Sequence, residues 1–209
     1  MLIVFVGIPG SGKSTTVKEL ASLLSIQHFF TEPEEEKWAD AAKDWKTYGS
    51  FSMLMWFRSI RVPMLLEAQK LSENDKIVLI DTYYDKLLYY YLNKYCMRWL
   101  ISPSDLYFEP LKKIAEIDKN TLPEADVMIF LEISCDDWLE NLKTRGRDTD
   151  RDEDFAKNFE TQKFLLEAAQ KYCEERGIQL IIFRQERRSF HEAILKLKEI
   201  LKNEISKKY

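Results

Sequence analysis

The sequence predicts an α/β fold in which a parallel five-stranded sheet is covered by helices on both faces. Two observations carry that prediction. Five short apolar runs, each the length of a strand, alternate with segments whose apolar residues recur at helical spacing, and right-handed crossovers between parallel strands deposit such helices on both faces of a sheet. The first run is also continuously apolar instead of alternating, as a strand covered on two sides is. Strand order is not legible from periodicity.

Leu2–Val6 is the first run, and Val17, Leu20, Ala21 and Leu24 mark the helix that follows. A second strand is expected over Ile26–Phe30. It ends at Thr31-Glu32-Pro33, where a proline without an N–H stops pairing and leaves Glu32 at the strand's end. Ligands of open α/β sheets bind at such ends. Residues 34–71 read as two helices rich in large aromatics (Trp38, Trp45, Tyr48, Phe51, Trp56, Phe57), with a break at Gly49-Ser50. Lys76–Asp81 is the third strand, closing in a carboxylate. Tyr83–Ile101 has helical character, Ser102-Pro103-Ser104 punctuates it, and a further helix is expected up to Leu122. Val127–Glu132 is the fourth strand and Asp136 opens the next helix. A charged turn around Gly146 follows, and helical spacing resumes over Phe155–Glu175. Gln179–Phe183 is the fifth strand, and a last amphipathic helix bearing Phe190, Ile194, Leu197 and Leu201 precedes a basic tail. With no repeat, low-complexity tract or linker, 1–209 reads as a single domain.

Composition excludes several function classes. A 45% hydrophobic content over 209 residues is enough for a sizeable core, while a net charge of −4, spread along the chain, provides no field for nucleic acid or an anionic membrane. Cys96, Cys135 and Cys173 are odd in number and lack C-x-x-C spacing, and His28 and His191 are the only histidines. Neither a disulfide framework nor a zinc site is expected, and a cytoplasmic location fits. The N-terminus begins with strand-like residues and lacks the layout of a signal peptide. The most apolar window, Leu87–Ile101, is interrupted by Lys94 and Arg98 and is too short to span a bilayer.

Between the first strand and its helix, Gly7-Ile8-Pro9-Gly10-Ser11-Gly12-Lys13-Ser14 fits the phosphate-loop pattern G-x-x-x-x-G-K-[ST] at every constrained position. Such a loop wraps backbone N–H groups and the positive end of a helix around an anion. Gly7, Gly10, Ser11, Gly12, Lys13, Ser14 and Thr15 are therefore the expected nucleotide-binding residues, with Lys13 neutralising β/γ-phosphate charge and the Ser14 hydroxyl reaching Mg²⁺. Asp81, at the end of a buried strand beside the loop, is the expected metal-associated acid. The motif alone specifies only a nucleoside triphosphate. A GTPase would need Asn-Lys-x-Asp, and Asn93-Lys94 continues instead with Tyr95-Cys96.

Four separated stretches together resemble the deoxynucleoside kinase and thymidylate kinase group of P-loop nucleoside and nucleotide kinases. They are the loop itself, Thr31-Glu32-Pro33 with Trp38, Asp81 at its strand end, and Ile129–Glu132 running through Leu142-Lys143-Thr144-Arg145-Gly146-Arg147. The resemblance implies a P-loop kinase fold, ATP as phosphate donor, Mg²⁺, and a nucleoside or nucleoside monophosphate as acceptor. It also implies roles: Glu32 as base at the accepting hydroxyl, Trp38 in the base pocket, and Arg145, Arg147 and Arg151 in a mobile lid over residues 143–154. Phe57-Arg58-Ser59-Ile60-Arg61 resembles the segment whose arginine holds an acceptor's phosphate in thymidylate kinases. The aromatic helices between Glu34 and Ile101 offer a surface for a homodimer, as in relatives.

Each of these roles has a plainer counterpart. Glu32 caps the helix after Pro33, Arg58 and Arg61 pair with Glu34, Glu35 and Glu36, and the lid is a solvated charged turn. Two departures bear on the acceptor. Both subfamilies follow the third-strand acid with arginine, whereas Thr82 follows Asp81 here, and residues 50–62 contain no glutamine to read a base. The alternatives to a nucleoside or nucleotide kinase are a kinase of another small metabolite and a nucleotide-binding, inactive kinase-like interaction module.

Overall fold

Strands β1 (Leu2–Val6), β2 (His28–Phe30), β3 (Val78–Ile80), β4 (Val127–Ile133) and β5 (Gln179–Gln185) form one all-parallel sheet in the order β2-β3-β1-β4-β5. The computed structural model describes residues 1–94, 97, 99–146, 159–185 and 189–208. Its helices are α1 (Lys13–Leu23), α2 (Asp40–Lys43), α3 (Trp45–Tyr48), α4 (Ser50–Ser72), α5 (Tyr84–Lys94), α6 (Phe108–Thr121), α7 (Cys135–Arg145), α8 (Thr161–Arg176) and α9 (Phe190–Lys208). Among the described residues no helix is long and apolar enough to cross a membrane.

The sheet divides two apolar cores. Leu2, Val4 and Val6 of β1 join Val78, Ile80, Met128 and Phe130 in the core covered by α4 to α8. Ile3 and Phe5 join Leu79, Ile129 and Leu131 against α1 and α9. Successive side chains of a strand face opposite sides, so a strand covered twice must be apolar at every position. That is why β1, β3 and β4 are continuous runs of buried residues. The edge strands are looser, with Phe29 of β2 and Ile182 of β5 partly in solvent.

Several boundaries differ from the sequence expectation, each for a local reason. Ile26 closes α1 instead of opening β2. Its N–H donates to Ala21 O and that of Ser25 to Ser22 O, with Ser25 at φ 53°, the paired bonds that satisfy the last carbonyls of a helix. The two helices expected over residues 34–71 become a 3₁₀ turn (Glu35–Lys37), the single turns α2 and α3, and the long α4. Asp44 caps α3 by accepting from the Thr47 N–H at 3.2 Å, so the chain restarts there. Gly49, at φ 85°, makes the break before α4, as its position suggests. Strand β5 runs two residues beyond Phe183, with Gln185 in register with Ile133 of β4. Helix α5 is described over Tyr84–Lys94, and the basic tail continues α9.

One ion pair joins α4 to α6. Arg58 Nε and Nη2 each donate at 2.7 Å to a different oxygen of Asp118, which is 2% exposed. This two-pronged geometry is the strong form of an arginine–carboxylate contact. Removing the guanidinium leaves a buried carboxylate without its counter-ion. Arg58→Met is therefore expected to lower the unfolding free energy by about 2 kcal/mol, measured as a reduced urea midpoint, whereas Arg58→Lys should lose less.

Candidate active site

The loop from Gly7 to Gly12 is shaped from outside as well as by its own glycines. Helix α7 grips its outer curve: Trp138 Nε1 donates to Pro9 O at 2.7 Å and Asn141 Nδ2 to Gly10 O at 3.1 Å. A Cβ on Gly10, at φ 88°, would meet Leu142 Cδ2 at 2.7 Å, and one on Gly12, at φ 83°, would meet the Gln185 amide at 3.1 Å. Positive φ and close cover together require glycine at both positions. Ser11 is fully buried, its N–H donates to Ile8 O at 3.1 Å, and it does not line the cavity of the site. Lys13 Nζ donates to Gly7 O and Ile8 O at 3.0 and 3.1 Å, lying across the loop it follows.

At the C-terminal end of the sheet, Asp81 joins two neighbours. Its Oδ2 accepts from Ser14 Oγ at 2.5 Å and its Oδ1 from the Glu32 N–H at 3.0 Å. Because β3 lies between β1 and β2, one side chain at its end can reach both flanking loops. Glu32 in turn accepts from Arg61 Nε at 2.5 Å. The guanidinium of Arg61 is stacked between the rings of Phe57 and Tyr84, 4.6 and 4.7 Å from their centroids. Thr82, buried beside Asp81, adds a hydrogen bond to the Glu32 carboxylate. The next turn, Glu35–Lys37, has Glu34 at its N-cap and no side-chain cap, so Glu32 is not a helix cap.

A cavity of about 1210 Å³ spans these groups. Pockets for one small ligand usually measure about 300–1,000 Å³, so this one lies above the usual single-ligand range. Its lining includes the loop, Thr15, Arg145 and Gln185, together with Glu32 and Asp81 and, around Arg61, the rings of Trp38, Phe57 and Tyr84. Trp38 is held by its Nε1 bond to Pro33 O at 2.8 Å and meets Phe57 edge-on at 5.0 Å.

The structure thus gathers Gly7, Gly10, Gly12, Lys13, Ser14, Thr15, Glu32, Trp38, Arg61, Asp81 and Arg145 around one cavity. Arg58 does not line it, and its carboxylate partner is Asp118, not the Glu34–Glu36 cluster. Arg147, Arg151 and most of the segment 143–154 lie outside the described residues. Arg145 sits at the last turn of α7, which Gly146 closes at φ 64° by donating its N–H to Leu142 O. Trp138, Asn141 and Gln185 were not singled out by sequence. Trp138 and Asn141 lie in the helix after the fourth strand at three-residue spacing, which is the one local sign that both face the same way.

Burial and charge set the protonation of the site. Burial pulls the Lys13 ammonium down to about 8, with Glu32 and Asp81 opposing. Burial and the neighbouring Glu32 charge push Asp81 up to about 6, against the Ser14 hydrogen bond and Lys13. Burial also pushes Glu32 upward, but the Arg61 charge and hydrogen bond, with Lys13 and Thr82, hold it below its ordinary value. Asp85 of α5 is raised to about 6 by burial, with Asp118 and Glu32 adding to the shift and Arg61 and Arg58 opposing it.

Ser14 Oγ and Asp81 Oδ2 are adjacent hard oxygen donors. Among the described residues no group of three or more His, Cys, Asp or Glu side chains could hold a metal ion. A pair of oxygens suits Mg²⁺, which keeps several waters and takes further oxygens from phosphates instead of an all-protein cage.

Residues 2–192 match the family model described as an AAA domain. No curated protein matches the sequence. Among solved structures, deoxyadenosine kinase from M. mycoides with bound dATP aligns at a TM-score of 0.64 and 16% identity, covering 94% of this chain and 98% of that one. The same enzyme with its products dCMP and a flexible dCDP aligns at 0.62 and 17%, covering 97% and 100%. Thymidylate kinase from Candida albicans aligns at 0.58 and 18%, covering 97% and 91%. At these identities the likeness is one of fold.

The buried carboxylates make stability depend on pH in a defined direction. Asp85 titrates from 3.8 up to about 6 on folding, so between these values the folded state holds a proton that the unfolded state releases, and stability falls as pH rises through that window. Asp85→Asn cannot lose this proton. Relative to the parent it should gain about 1–2 kcal/mol between pH 4 and pH 7, read from urea midpoints at the two pH values.

Proposed function

The chain belongs to the AAA domain family, and from that premise we propose that it is an enzyme that transfers the γ-phosphate of ATP to a hydroxyl or phosphate of a nucleoside or nucleoside monophosphate. The observation that carries this reading is the run of contacts from Ser14 through Asp81 to Glu32, which sets a carboxylate next to a phosphate loop in a cavity of about 1210 Å³. The fold shared with the deoxyadenosine and thymidylate kinases supports it.

In this reading the loop's N–H groups and the start of α1 hold the donor's phosphates, and Lys13 offsets charge on the β- and γ-oxygens. Ser14 and Asp81 would hold Mg²⁺, which would screen phosphate charge. Glu32 accepts the proton of the attacking hydroxyl as its oxygen bonds to the γ-phosphorus and the bond to the β-phosphate oxygen breaks, releasing ADP. Arg61 and Thr82 keep the Glu32 carboxylate ionised and aimed. Arg145, half-buried at the end of α7, faces the transferring oxygens from the far side. Most of the rate comes from positioning and charge, since phosphoryl transfer asks little covalent chemistry of the protein.

ADP release is followed with Mg·ATP and a panel of nucleosides and their monophosphates. Turnover with at least one of them is expected, and silence with all of them, with ATP still bound, would overturn the reading. Glu32→Gln should lower turnover by about 10²–10⁴-fold while ATP affinity stays within about twofold. A Glu32→Gln enzyme of near-parental rate would remove Glu32 from the base role.

A further inference from the structure

The cavity end nearest α4 has a charge arrangement that selects among acceptors, given the phosphoryl-transfer reading above. Of the two arginines singled out on α4 only Arg61 lines the cavity, and each is already paired with a carboxylate. Arg58 is bound at both prongs by Asp118, and Arg61 donates to Glu32 at 2.5 Å while stacked between Phe57 and Tyr84. Among the described residues, the charged side chains that interact with Glu32 include Lys13 and the buried carboxylates Asp81 and Asp85, and Arg145, which interacts with Lys13, also lines the cavity. At the exposed rim, Lys43 and Lys46 are mixed with Glu34, Glu36 and Asp44.

A phosphate monoester placed here would bring negative charge against Glu32 and Asp81 in a desolvated site. Arg61 already gives its Nε–H to Glu32, so a phosphate pairing with Arg61 would have to break that charge-assisted contact or share the guanidinium with a carboxylate of like charge. A neutral hydroxyl meets neither obstacle, and it suits a carboxylate that is held ionised as a hydrogen-bond acceptor. Phe57 and Tyr84 flank Arg61, Trp38 meets Phe57, and these rings line the cavity, which suits an uncharged ring system.

We propose that the Arg61–Glu32 pair is a charge filter: the acceptor is an uncharged, ring-bearing alcohol of the nucleoside class that offers its hydroxyl to Glu32, and phosphorylated acceptors are disfavoured because Glu32 already neutralises Arg61. Specificity then rests on a charge already satisfied inside the protein, since unfavourable charge against the wrong ligand discriminates as effectively as contact with the right one.

The test is calorimetric binding to the full chain saturated with Mg²⁺ and β,γ-imido-ATP. Purine and pyrimidine nucleosides and their 5′-monophosphates serve as probes. In the parent protein at least one nucleoside should bind about tenfold or more tightly than its monophosphate. Glu32→Gln, confirmed folded by circular dichroism, frees Arg61 and should raise monophosphate affinity by about tenfold, and adding Arg61→Met should reverse that gain. Monophosphates binding the parent as tightly as nucleosides, no binding of any nucleoside, or an unchanged monophosphate affinity in a folded Glu32→Gln protein would each overturn the filter. The parent ratio decides the matter even if a variant fails to fold. The outcome is separable from that of the reading it rests on. Nucleoside-selective binding without turnover leaves the filter and removes the kinase, whereas turnover of monophosphates alone keeps the kinase and removes the filter.

Discussion

The Asp81 carboxylate is the constraint on which the rest of the site depends. Its two oxygens are taken by different parts of the chain, one by the hydroxyl of Ser14 and the other by the backbone N–H of Glu32. A side chain 1% exposed at the end of a fully buried strand cannot shed its charge to water, so its position is set by these two donors and theirs by it. The start of α1, the end of β2 and the end of β3 are thereby locked together, and the phosphate loop is referenced to the carboxylate that would serve an acceptor. The sheet order makes this possible by placing β3 between β1 and β2.

Charge then runs outward from that point in alternating sign. Lys13 lies on one side of the two carboxylates and Arg61 on the other. Burial opposes the charged form of every one of these groups, and each is kept ionised by its neighbour more than by solvent. The opposite shifts of Glu32 and Asp81 follow. Glu32 has a guanidinium in contact and is held low, whereas Asp81 has hydrogen-bond donors but a like charge beside it and is pushed up. Two adjacent carboxylates with different environments are suited to different tasks, one as proton acceptor and the other as metal-associated acid.

Helix α7 gives the loop a second support. Trp138 and Asn141 hold Pro9 O and Gly10 O, and Gln185 from β5 covers Gly12. The carbonyls of Pro9 and Gly10 are therefore satisfied by side chains of the later half of the chain. Coupling of this kind ties the nucleotide end of the cavity to β4, α7 and β5, just as Asp81 ties it to β2 and β3.

Much of this was legible in the sequence because it is local. The continuous apolar runs, the glycine spacing of the loop and the terminal positions of Glu32 and Asp81 are set by backbone sterics, strand periodicity and the chemistry of phosphate, all of which act within a few residues. Boundaries were lost where a short-range competitor intervened, as at Ser25, where the close of α1 absorbs Ile26, and at Asp44, which restarts the helix. What only the tertiary structure decided is which charge meets which. Arg58 and Arg61 stand three residues apart on one helix, yet one is taken by Asp118, 60 residues away, and the other by Glu32, 29 residues away. Sequence spacing carries no information about such partners, because the distance that sets an electrostatic interaction is fixed by strand order and helix packing and not by separation along the chain.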